Sequence, residues 1–386
     1  MKNLAPTNEQ NRIVWIDIIR GFAILGIFVV NIGAISAPYF MYGGAEQAWT
    51  APFERFIQMI IDVFFQGSFY TLFSILFGFS WQLMKDRLVI KDINFTTFLF
   101  RRQVILIGIG FIHAFIIWHG DILLSYGLIG LLLLLFIEVK DRTLLIWAVG
   151  LLGGSVAFIT IGLYQVRYLL GGANQAAINQ AIENYSSNNL FAIWSQNLQD
   201  WSYANTGMTF IFLIATLLPL FLFGMYIARK GWLHEPKKHQ DLLWRLLQIT
   251  FFLFIFLKLG PYIFDNPLWL SYVQDNIGGT ASAVFYIVLI TFITQYARGL
   301  KLLQPFKYIG RMALSNYILQ SVFCVVLFYG FGLYDSITPS IAIIIVSVFY
   351  ALQIIFSKWW LSKYRFGPLE WVWRSLNYGK KQAFRK

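Results

Sequence analysis

Apolar residues fill this chain in long runs, and polar residues are largely confined to the shorter stretches between them. A helix rises about 1.5 Å per residue, so crossing a hydrocarbon core of roughly 30 Å takes about 20 predominantly apolar residues. Ten segments meet that requirement, at approximately residues 15–36, 56–84, 98–118, 121–138, 143–165, 206–228, 242–264, 280–297, 311–331 and 339–361. The pattern predicts an all-α integral membrane protein: a bundle of about ten transmembrane helices, with residues 1–386 forming a single polytopic membrane domain.

Two stretches depart from this regularity. The second segment is too long for a simple span and opens with Glu54, Gln58, Asp62 and Gln66, a polar stripe at a spacing of four. It reads either as an amphipathic lead-in at the interface or as the wall of a hydrated cavity, since Asp62 facing lipid is costly. The loop at about 166–205 is rich in Asn, Gln and Ser, and its scattered apolar residues allow short helices. A structureless loop of that length is uncommon, so it reads as a cover or as a solvated connector.

Charge orients the bundle. With the N-terminus inside, Lys85, Arg87, Lys91, Arg101, Arg102, Arg229, Lys230, Arg298, Lys301 and the basic tail at about 362–386 all fall on the inner side. Cytoplasmic loops hold the excess of Lys and Arg, so both termini are expected in the cytoplasm. The net charge of +12 is thereby distributed as in a membrane protein facing a lipid bilayer, with 58% hydrophobic and 12% charged residues, and nucleic-acid binding is not expected. Cys324 is the single cysteine, and the four histidines lack metal-ligand companions, so no metal site is expected. The polar start, Met1 to Asn11, lacks the features of a signal peptide.

Within the apolar runs, a few polar residues carry the candidate chemistry. Arg20 and Asn31 are eleven residues apart, close to three helical turns, which places them on one face about 16 Å apart. Arg20 reads either as lining a path or as an anchor paired with Asp17. Arg102 and His113 repeat the interval, and His113 reads either as a packing residue or as a base. Trp118-His119-Gly120-Asp121 forms a tight turn in which Asp121 either orients a histidine or caps the next helix. Lys258 either pairs with Asp62 or Asp121 or extends outward, and Asn316 and Gln320, one turn apart, fit helix-to-helix hydrogen bonding.

These residues resemble the YeiB-like family of bacterial membrane proteins of uncharacterised function. The resemblance rests on the run from Asp17 to Asn31, on His113 through Trp118-His119-Gly120-Asp121 to Tyr126, on Gly310 to Gln320, and on the tail from Gly367-Pro368-Leu369-Glu370-Trp371 to Lys380. It implies a multi-pass protein of the bacterial cytoplasmic membrane. The layout is also distantly similar to the integral membrane acyltransferases that include heparan-alpha-glucosaminide N-acetyltransferase and glycan O-acyltransferases. In many glycan enzymes of that group a histidine follows the first-span arginine; here Asn31 stands in its place, so His113 or His119 would have to serve.

The expectation is an acyltransferase that moves an acyl group from a cytoplasmic acyl-CoA-like co-substrate to an extracytoplasmic glycan, lipid or small-molecule acceptor, with no permanently bound cofactor. Arg20 and Arg102 would hold donor phosphates, His113 or His119 assisted by Asp121 would deprotonate the acceptor, and Asn31 would donate hydrogen bonds to the donor or a developing oxyanion. The rival expectation is a transporter or flippase of a small metabolite or lipid, with the intramembrane charges as its pathway.

Overall fold

A computed structural model describes residues 12–386; the polar start at residues 1–11 lies outside the described residues. The chain is all-α, and the described residues contain no β-strand. Its principal helices are α1 (Val14–Ser36), α2 (Pro52–Phe64), α3 (Ser68–Ile90), α4 (Phe95–Ile117), α5 (Leu123–Phe136), α6 (Asp141–Gln165), α7 (Gln175–Tyr185) and α8 (Leu190–Asn205). They continue as α9 (Met208–Arg229), α10 (Gln240–Phe264), α11 (Leu268–Thr294), α12 (Ala297–Arg311), α13 (Ala313–Gly330), α14 (Pro339–Lys363) and α15 (Pro368–Tyr378). Nine stretches among the described residues are long and apolar enough to cross a membrane, with α2 and α3 counted as one. The protein is therefore a multi-pass membrane protein.

The fourth expected span is the exception. Helix α5 covers Leu123–Phe136 and belongs to the shorter apolar helices, rising only about 21 Å. Arg229 of α9 accounts for its early end. Its guanidinium donates to the carbonyls of Val139 at 2.6 Å and Ile137 at 2.9 Å, and to Gln82 Oε1 at 3.1 Å. Carbonyls that helix termination leaves without a partner thus find a cation.

Close backbone approach replaces bulky packing at two seams. A Cβ on Gly21 of α1 would collide with the Phe306 carbonyl of α12, and one on Gly310 with the Asp17 carbonyl. Gly78 of α3 and Gly224 of α9 repeat the arrangement, against the Phe221 and Ile75 carbonyls. Apolar side chains gain little by leaving lipid, so helices in a bilayer associate through such close contacts. At Gly67 (φ +71°) the chain breaks between α2 and α3, and a Cβ there would strike the backbone of Asp275. The long second segment is therefore two helices, with α11 lodged against the break.

The two ends of the bundle differ. Arg12, Asp17 and Arg20 of the α1 start, Arg229 and the tail gather at a basic end. The tail helix, α15, is docked there: Glu370 accepts from the backbone N–H groups of Leu314 and Ser315 at 2.8 and 3.1 Å and from the Ser315 hydroxyl at 2.5 Å, capping the start of α13. At the opposite end the 166–205 loop is helical, and α7 and α8 fold over the bundle as a cap.

Candidate functional site

The site is built where α4 ends. Its last turn, His113–Ile117, is π-helical, and a π turn inside an α-helix commonly marks a functional position. The cap helix α8 satisfies this turn's carbonyls: Asn197 Nδ2 donates to Ala114 O at 2.8 Å, and Trp194 Nε1 to Ile116 O at 3.2 Å. The wider turn and the cap together fix the direction of the His113 ring.

His113 Nδ1 lies 2.8 Å from Asp121 Oδ1, with both side chains fully shielded. Asp121 Oδ2 accepts from the Leu124 N–H at 2.5 Å, so a single carboxylate orients the histidine and caps α5. Both sequence readings of Asp121 hold at once. In the neutral ring, Nδ1–H donates to the carboxylate and Nε2 is the free acceptor. That Nε2 is buried and has no partner among the described residues. The imidazole packs against Tyr317 of α13, ring centroids 5.1 Å apart.

His119 stands two residues beyond the π turn. It is only 7% exposed, lying beneath the cap, and its partners are Tyr185 of α7 and Asp200 of α8 rather than Asp121. Asp200 is the hub of this network, accepting from Tyr42 at 2.5 Å, Tyr185 at 2.6 Å and Gln196 at 2.7 Å. Since the Tyr185 hydroxyl hydrogen goes to Asp200, the 3.2 Å contact makes His119 Nδ1–H the donor to Tyr185 oxygen. Burial lowers the His119 pKa from its ordinary value, the Asp200 charge opposing that effect, and the neutral ring fits this geometry.

At the basic end, Arg20 pairs with Asp17 at 3.1 Å and donates to Ser80 at 2.5 Å. Arg102 stacks on Trp373 of the tail, 3.9 Å from the ring, and pairs with no carboxylate among the described residues. Arg102 and His113 bracket most of α4. Asn31 is half-buried and makes no side-chain hydrogen bond among the described residues. Two grooves of about 490 and 420 Å³ also open at this end, beneath α5, lined by Phe95, Glu138, Lys85 and Arg229 among others, apart from the histidines.

The remaining candidates lie elsewhere. Lys258 pairs with Asp275 at 3.0 Å and approaches Asp62 at 4.0 Å; the expected alternative of Asp121 is corrected, because Asp121 is committed to His113 and Leu124. Asn316 donates to Ser357 of α14, and the Gln320 amide donates to Gln353 at 2.8 Å, joining α13 to α14. Sequence reasoning missed Asp200, Tyr185 and Asp275. Their only local signal is a carboxylate or phenol amid amide-rich segments, and their partners are far away along the chain.

A family profile described as "Protein of unknown function (DUF418)" matches residues 227–380. The uncharacterized protein YxaH of Bacillus subtilis (strain 168) is 35% identical over 397 residues, covering 98% of this chain and 97% of the relative. The uncharacterized 39.9 kDa protein in the amylase 3' region of Bacillus acidopullulyticus is 28% identical, over 97% of this chain and 96% of its own length. The uncharacterized protein YeiB of Escherichia coli (strain K12) is also 28% identical, over 95% and 96% respectively. No solved structure matches. With near-complete coverage of a relative at this identity, and polar residues held by a multi-pass helical bundle, the chain belongs to the YeiB-like DUF418 family of membrane proteins.

Proposed function

We propose that the protein is an acyltransferase that takes an acyl group from an acyl-CoA-like thioester at the basic, cytoplasmic end and delivers it to an extracytoplasmic acceptor hydroxyl or amine at the capped end. The observation that carries this reading is the His113–Asp121 pair with its bare Nε2. An imidazole held by a carboxylate on one nitrogen and free on the other is the arrangement of a general base.

In this reaction the acceptor oxygen or nitrogen attacks the thioester carbonyl, and the carbon–sulfur bond breaks. Nε2 of His113 takes the acceptor proton and returns it to the departing thiolate, so His113 ends as it began. Arg20 and Arg102 hold donor phosphates, for which guanidinium geometry is suited. Asn31, whose amide is uncommitted, donates to the donor or to the developing oxyanion. The separation of Arg102 from His113 along α4, about 16 Å, is bridged by an extended donor arm.

The test is the full chain reconstituted in vesicles with radiolabelled acetyl-CoA and an envelope extract as acceptor source. Label should move into the extract with the wild type and be lost with His113→Gln. Transfer undiminished in His113→Gln, in protein that remains folded, would overturn the assignment of the base.

A further inference from the structure

A second cluster of ionisable groups stands where α2, α10 and α11 meet. Lys258 has no exposed side-chain surface, its ammonium lies 3.0 Å from Asp275 Oδ1, and Asp62 Oδ1 is 4.0 Å away. Asp62 has further donors: Tyr262 OH at 2.6 Å and Gln274 Nε2 at 3.1 Å, both to Oδ2. Gln274 also donates to the Lys258 carbonyl at 3.0 Å, and the segment Gln274–Gly278 is a π-helical turn, like the one that carries His113. On α3, Tyr70 donates to Asn276, the residue after Asp275, at 3.2 Å, and Tyr272 precedes the turn. Among the described residues, these are the ionisable and polar groups that face the cluster from the elements packed around it.

Two carboxylates and one ammonium leave one negative charge in excess, and no other Lys or Arg pairs with these carboxylates among the described residues. An excess charge on half-buried carboxylates around a fully buried ammonium is costly, and ionisable groups at such positions in a helix bundle mark ion and proton sites. We propose that Asp62, Lys258 and Asp275 form a proton-binding site around the buried Lys258 that takes up one proton from the aqueous phase at the capped end.

The hydrogen bonds place that proton. Asp62 accepts from Tyr262 and Gln274 and lies near the ammonium, whereas among the described residues Asp275 receives only Lys258, leaving its other oxygen to carry hydrogen. Asp275 is 28% exposed and Asp62 19%, and Lys258 is within two turns of the end of α10, so exchange with water needs no long path. Acyl transfer conserves its proton, from acceptor to thiolate, so this site does not rest on that reading.

Infrared difference spectroscopy on the full chain in nanodiscs tests the proposal through the stretch of a protonated carboxyl group. At neutral pH the wild type should show this band, and Asp275→Asn or Asp62→Asn should lose it, because one carboxylate then balances Lys258. Lys258→Met removes the cation and should about double the band. The two asparagine variants decide the matter even if the methionine variant does not fold. A wild type without the band, or a band that survives both asparagine variants, would overturn the site. Replacing sodium by choline should change nothing; a band that responds to sodium would assign the pocket to a metal cation and overturn the proton.

Discussion

His113 and Asp121 are eight residues apart in sequence and 2.8 Å apart in space, in a contact closed to solvent on every side. The same carboxylate secures the first turn of α5 through the Leu124 N–H. Orientation of the imidazole and attachment of the next helix are therefore inseparable.

Asp121→Asn separates catalysis from folding only partly. An amide cannot accept from both His113 and Leu124, so one donor loses its partner. We expect transfer to fall by roughly 10²–10⁴-fold, the usual contribution of a positioned acid or base. Stability should fall by about 1–3 kcal/mol, the cost of an unsatisfied buried group. Turnover in vesicles and thermal unfolding in detergent check the two effects, and a variant with unchanged turnover would remove Asp121 from the mechanism.

The cap should be acid-sensitive. His119 is held neutral by burial, so its folded pKa lies below the ordinary 6.5. Below that ordinary value the unfolded chain binds the proton first. The stabilising contribution is therefore complete above about 6.5 and declines as pH falls toward the folded value. Unfolding midpoints measured from about pH 8 down to about pH 5 should drop, and His119→Gln should flatten the lower part of the profile. Equal slopes in the two proteins would contradict this.

Removing Glu370 should release the tail. Glu370→Ala leaves the Leu314 and Ser315 N–H groups without their acceptor, a loss of about 1–3 kcal/mol. Hydrogen exchange should quicken in α15 and the first turn of α13 while α7 and α8 keep their protection. An unchanged tail would show that Trp373, which donates to Arg102 O at 3.3 Å, and its neighbours suffice for docking.

Arg229→Met should act at a distance along the chain. The carbonyls of Ile137 and Val139 would lose their donor, and the α5–α6 connection should become open to protease before the bundle unfolds. Cleavage no faster than in the wild type would indicate that another group serves these carbonyls.

The architecture was legible in sequence because bilayer crossing demands long apolar runs, and α1, α6, α9 and α14 announce themselves that way. Length alone misjudged α5: its apolar run reaches residue 138, but Arg229, far away along the chain, halts the helix at Phe136. The site was half legible. The Trp118-His119-Gly120-Asp121 turn is plain in the sequence, yet which histidine meets Asp121 depends on a π turn that no residue pattern announces. Asp200 and Asp275 escaped because their partners, Tyr42 and Lys258, belong to other helices, and only folding brings them together.

Helix α5 has one more consequence, for the lipid beside it. A rise of about 21 Å falls short of a hydrocarbon layer near 30 Å thick, and Leu128 and Leu135 present outward along it. By hydrophobic mismatch, acyl chains next to α5 are expected to shorten or tilt, drawing the headgroup plane inward toward Glu138 and Arg229. The expected thinning of the membrane lies on the flank where the two grooves open.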